Sequence, residues 1–102
     1  MSRESKPEIE VPRKAAFSTG GSERSAAWII RLSLVGAELE AVLPPETGTE
    51  IVLWTKPPDG ERELEVRGRV QWARGSRFGV QFGPLGARET HAIVSLGRVR
   101  AA

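Results

Sequence analysis

From residue 63 to residue 72 the chain alternates without a break. Leu64, Val66, Gly68, Val70 and Trp72 fall on one side, and Glu63, Glu65, Arg67, Arg69 and Gln71 on the other. A period of two marks a strand with one face in a core and one in water, because successive side chains leave a pleated backbone on opposite sides. A helix would scatter the same apolar residues around its circumference. This stretch commits the chain to a sheet, and the remaining sequence has to supply its partners.

Those partners are short and separated by turn chemistry. Residues 26–34 place Trp28, Ile30, Leu32 and Leu34 on one face and Ala27, Ile29, Arg31 and Ser33 on the other; aliphatic neighbours assign Trp28, like Trp72, to the core. Gly36 supplies a positive φ or a close backbone approach, after which Ala37, Leu39, Ala41 and Leu43 alternate with Glu38 and Glu40. Residues 50–55 form a further strand, and in residues 77–82 Phe78, Val80 and Phe82 point inward together. Residues 15–18 suggest a short first strand. Gly and Pro clusters at residues 19–22, 44–48, 56–60 and 75–76 punctuate the series. Residues 87–96 lack Gly and Pro and read as a short helix with Leu85, Ile93 and Leu96 as core contacts and Gly97 as its stop.

With 102 residues there is room for one core. The expected organisation is an N-terminal arm over residues 1–12, interrupted by Pro7 and Pro12, a barrel domain with its helix over residues 13–97, and a tail over residues 98–102. The fold class is mainly β, a small antiparallel β-barrel that hides its edges by closing on itself, with a short C-terminal helix. Periodicity does not choose between an oligonucleotide-binding barrel, an SH3-like barrel and other closures of the same string.

Composition narrows the chemistry. There is no cysteine, hence no disulfide or thiolate zinc site, and no apolar run approaches the roughly 20 residues of a membrane-spanning helix. Fifteen basic residues face thirteen acidic ones for a net charge of +2, interleaved along one strand, which argues against a nucleic-acid surface. The first residues carry mixed charges and no apolar secretion signal, so a cytoplasmic location is expected. His91 stands alone without a second metal ligand, and no nucleophile can be matched with a base and an orienting group. The chain is expected to be neither an enzyme nor a metal or cofactor protein. Val52 and Trp54 lie opposite Ile51 and Leu53, so this strand is apolar on both sides; the C-terminal helix, the arm or a protein partner would cover the second face.

Four motifs follow one another: Ser33-x-x-Gly36 at a strand end, a Pro-x-x-x-Gly turn, Gly68-x-Val70-x-Trp72, then Gly79-Val80-x-Phe82. In that order, over roughly residues 13–96 and with a helix behind them, they resemble the PilZ domain family. The resemblance implies a six-stranded barrel and a stand-alone, single-domain signalling protein. It also implies a mobile N-terminal segment that brings an Arg-x-x-x-Arg pair onto cyclic di-GMP, and an Asp/Asn-x-Ser-x-x-Gly strand end whose acceptor meets a guanine edge.

Carried onto this chain, Ser33 and Gly36 match and Arg31 stands where the acceptor belongs. Arginine offers five donors and no acceptor. An unpaired polar group there costs roughly 1–3 kcal/mol, a loss of roughly fivefold to hundredfold in affinity. Four residues on from Arg13 stands Phe17 and four back stands Ile9, so one motif arginine is assigned; Lys14 beside it replaces charge but not the planar fork.

The expectation is a non-enzymatic adaptor that binds other proteins in control of bacterial motility or type IV pili, with family-type cyclic di-GMP binding lost or weak. Two alternatives stand beside it. One is a cyclic di-GMP receptor using Arg13, Lys14, Arg31, Ser33 and Gly36 in a rearranged site. The other is an oligonucleotide-binding barrel built on Trp54 with Arg67, Arg69, Arg74 and Arg77. For Arg31 itself the plain expectation is an exposed strand arginine paired with Glu38 or Glu40.

Overall fold

The alternating stretch becomes β5 (Leu64–Arg74), the longer partner of a hairpin with β6 (Arg77–Phe82). The computed structural model describes residues 9–21, 23–57 and 62–101. Ahead of the hairpin come β1 (Ile9–Thr19), β2 (Ser25–Leu32), β3 (Gly36–Glu40) and β4 (Glu50–Thr55); behind it comes α1 (Ala87–Ala101). The six strands close into an antiparallel barrel in the order β1-β2-β3-β6-β5-β4, with β4 pairing back onto β1. Closure leaves no strand edge among these elements to pair with another chain.

Inside, Ile29, Leu39, Val70 and Phe78 are almost fully enclosed, and Phe17 meets Phe78 edge-on with ring centroids 5.4 Å apart. Such T-shaped pairs add about 0.5–1.5 kcal/mol beyond the area they bury. One end of the barrel is plugged by α1, which packs on β5 and β1 and drives Ile93 into the core, with Leu85 and Ala92 beside it.

Several expectations need correcting. β1 starts at Ile9, so residues 9–12 belong to a strand and not to an arm; residues 1–8 lie outside the described chain. Pro12 is accommodated because the β1–β2 register shifts by one residue between Glu10 and Arg13, and a bulge needs no ladder N–H there. β3 stops at Glu40, which leaves Val42 and Leu43 92% and 82% exposed instead of continuing the alternation. The helix runs through Gly97 to Ala101, where a stop and a tail were expected. A helical glycine costs roughly 1 kcal/mol relative to alanine, which weakens a helix without ending it. The side chain of Leu96 lies outside the described residues.

Trp28 and Trp72 are also not in the core: they are 45% and 40% exposed. The cause is again the bulge. In β2 the pairing with β3 shifts between Ile29 and Arg31, so Ala27, Ile29 and Leu32 face inward and Trp28 faces out. In β5 the pairing with β6 shifts between Val70 and Trp72, so Gln71 is the extra residue and Trp72 emerges on the outer face. A single inserted residue reverses the side of everything beyond it.

Candidate functional site

The two bulges bring Arg31 and Trp72 onto one outer face. There Arg31 of β2 registers with Glu38 of β3, Glu38 with Gly79 of β6, and Gly79 with Trp72 of β5. The next row holds Trp28, Glu40, Arg77 and Arg74 in the same strand order. An open depression of about 240 Å³ lies over the first row, lined by Arg31, Ser33, Gly36, Gln71, Trp72 and Gly79 among others.

Its shape depends on two glycines. A Cβ on Gly36 would run into the Val80 carbonyl oxygen, and one on Gly79 would run into the indole of Trp72. Gly36 therefore serves through close backbone approach, not through positive φ, and Gly79 leaves the space in which the indole lies across the sheet. Ser33 closes the β2–β3 turn: its N–H donates to the Gly36 carbonyl at 2.9 Å, and its hydroxyl accepts from the Val35 N–H at 3.2 Å. That hydroxyl is engaged by its own turn.

Arg31 meets the plain expectation for a strand arginine. Its side chain is 48% exposed and lies 3.6 Å from a Glu38 carboxylate oxygen. Arg77 approaches the other Glu38 oxygen at 2.9 Å and Glu40 at 3.6 Å. Glu38 is thus clasped by two guanidiniums, and its own side chain is only 20% exposed. The carboxylate nearest to Arg31 is thus shared with a second guanidinium.

Arg13 does not join this face. Arg13 is half-buried, and its Nη2 donates to the Lys56 carbonyl beyond β4 at 3.3 Å, while its Nε is buried without a partner. Lys14, the next residue along, is exposed and registers with Trp28. The side chains of Arg13 and Arg31 are therefore held apart, while Lys14 shares the outer face with Trp28. Arg13 is turned to the β4 side, and Arg31 is tied to β3.

Val52 and Trp54 sit half-buried on the outside of β4. Among the described residues, what covers Trp54 is an arginine from a strand connection. Arg24, in the β1–β2 connection, lies 3.9 Å above the Trp54 ring and makes a two-pronged ion pair with Glu63 at 2.9 and 3.2 Å. The indole N–H donates to Glu65 at 3.1 Å. An oligonucleotide base would have to displace this arginine to stack there. Of the remaining basic residues proposed for that surface, Arg69 is bound to Glu50 at 2.7 Å and Arg77 to Glu38 and Glu40.

The model of the PilZ domain family matches residues 2–96. This chain belongs to the PilZ domain family. PilZ domains are in general non-catalytic binding and adaptor domains. Solved structures agree on the fold. The PilZ domain of CeSA from a cellulose-synthesizing bacterium superposes with a TM-score of 0.75 at 19% identity, covering 93% of this chain and 98% of that one. The Bacillus subtilis inhibitor of motility (MotI/DgrA) gives 0.76 at 12% identity over 99% of this chain. This chain spans 52% of that protein's length. No curated protein matches. The six-stranded barrel with its C-terminal helix is thereby the PilZ fold, and the oligonucleotide-binding and SH3-like closures are set aside.

No helix among the described residues is long and apolar enough to cross a membrane, and no described group of His, Asp and Glu could hold a metal ion. Sequence reasoning missed Trp72, Gly79 and Arg24 as surface features. The first two come together only through the register shift in β5, which leaves no mark in the sequence. Nothing in the order of residues marked Arg24.

Proposed function

We propose that this PilZ domain is a non-enzymatic signalling adaptor that works by docking a protein partner in the cytoplasm, with family-type cyclic di-GMP binding weak or lost. The observation that carries the reading is the separation of its two candidate arginines. Arg31 occupies the acceptor's place and is bound to Glu38, while Arg13 is tied to the Lys56 carbonyl on the β4 side. A guanine edge at position 31 would meet donors, and the arginine pair that clamps the phosphates has one member. A role in motility is supported by the likeness to a motility inhibitor, whose printed name says that much of that protein.

The reading is tested by calorimetric titration of cyclic di-GMP into the whole chain. It predicts no saturable binding in the micromolar range, whereas micromolar or tighter binding contradicts it. The orphaned Nε of Arg13 favours a second reading, a receptor in which this side chain leaves its seat to meet a phosphate. That reading requires measurable binding that weakens in both Arg13→Ala and Arg31→Ala; unchanged affinity in both removes it.

A further inference from the structure

The depression between Arg31 and Trp72 is too small for a whole small-molecule ligand. Pockets that enclose one run to roughly 300–1,000 Å³, against about 240 Å³ of open space here. That volume suits one anchoring side chain of a larger molecule. Arg and Trp are the residue types that most often dominate the energy of such anchors.

The polarity of the lining selects the side chain. The Glu38 carboxylate lies within ion-pair distance of Arg31 and Arg77, and the Ser33 hydroxyl is engaged by its own turn. Beside the Gln71 amide, the opening is faced by the Arg31 guanidinium, half-exposed while it pairs with Glu38, and by the indole of Trp72. The guanidinium is a cation with donors only, and the indole offers one N–H and an apolar ring. A group that accepts, carries negative charge and brings methylenes against the ring fits both.

A second observation extends the match beyond the depression. Arg74 and Arg77 stand directly opposite each other at the end of the β5–β6 hairpin. Like charges in that position are destabilising, and the glutamates offset only Arg77. An acidic segment lying across this face would relieve the repulsion.

We infer that Arg31 and Trp72 seat a glutamate or aspartate side chain from an acidic segment of a partner protein, with Arg74 and Arg77 flanking it. The inference rests on the adaptor reading above and names the chemistry of its partner. The arginine that removes the nucleotide's acceptor thereby becomes the anchor for a carboxylate.

The test is an NMR titration of the full chain with a blocked tetrapeptide of alternating glutamate and alanine, and with its glutamine counterpart. The glutamate peptide should produce saturable shifts of the Trp72 indole and Arg31 Nε–H signals, weakening several-fold from low to moderate salt. The glutamine peptide should produce none. Binding should fall at least tenfold in Arg31→Glu and survive in part in Arg31→Lys, with both variants keeping the wild-type spectrum elsewhere. Equal shifts with both peptides, no shifts with the glutamate peptide at millimolar concentration, or full binding by Arg31→Glu would each overturn the inference. A separate arm with cyclic di-GMP keeps the two ideas apart. Saturable nucleotide binding there refutes the adaptor reading, whereas loss of the peptide response alone refutes only the carboxylate anchor.

Discussion

Two glycines on neighbouring strands show how much one hydrogen atom in place of a methyl group decides on this surface. Gly36 faces the Val80 backbone carbonyl, which cannot step aside, whereas Gly79 faces the ring of a half-exposed tryptophan, which can. Gly36→Ala should therefore destabilise the domain by roughly 1–3 kcal/mol, the usual cost of forcing extra atoms into a packed site, read as a lower urea midpoint with an unchanged slope. Gly79→Ala should cost clearly less, yet it should lift the Trp72 indole from the sheet and change its fluorescence. An equal loss of stability in both variants would mean that Trp72 is held as rigidly as backbone. Arg31 belongs to the same scale. It lines the depression with a half-exposed guanidinium that reaches across to Glu38 of the next strand.

Among the elements, the barrel wall and its attachments differ in how they are held. Arg24 fastens the β1–β2 connection over β4 through one cation–π contact and one exposed ion pair with Glu63. These contribute about 0.5–1 kcal/mol and about 0.2–1 kcal/mol. Arg24→Ala should therefore cost on the order of 1 kcal/mol and make Trp54 fluorescence more accessible to a soluble quencher; a quenching rate equal to wild type would refute the cover. The helix is held by its apolar contact. Ile93→Ala should cost roughly 2–5 kcal/mol as a buried truncation and should speed amide exchange across α1 before it does so in β5. Simultaneous exchange in both would show that the helix does not open separately.

What the sequence made legible was the set of elements: the period-two runs and Gly/Pro turns gave every strand and the helix near its place. What it hid was the position of the bulges. A bulge adds one residue without changing composition or local pattern, so Trp28 and Trp72 read as core when the register shifts at Ile30 and Gln71 carry them outside. The start of β1 was hidden for a related reason, since Pro12 breaks a pattern that a bulged strand tolerates.

For the molecule as a whole, a closed barrel has no edge strand to offer, so recognition has to use its outer face and its ends. One end is filled by the helix. The outer face of β2, β3, β6 and β5 combines two exposed tryptophans with a guanidinium and carboxylate network, and the sequence announced only part of it: Arg31, Ser33 and Gly36 through the family motif. The other half, Trp72 over Gly79, arises from long-range register. The same face cannot serve two opposite chemistries well. An acceptor at position 31 suits a guanine edge, and a donor suits a carboxylate. The most direct measurement is an NMR titration of the unmodified chain with cyclic di-GMP, following the amides of Arg31, Ser33 and Gly36. The account predicts that these signals stay in place through micromolar nucleotide, and saturable shifts at all three in that range would contradict it.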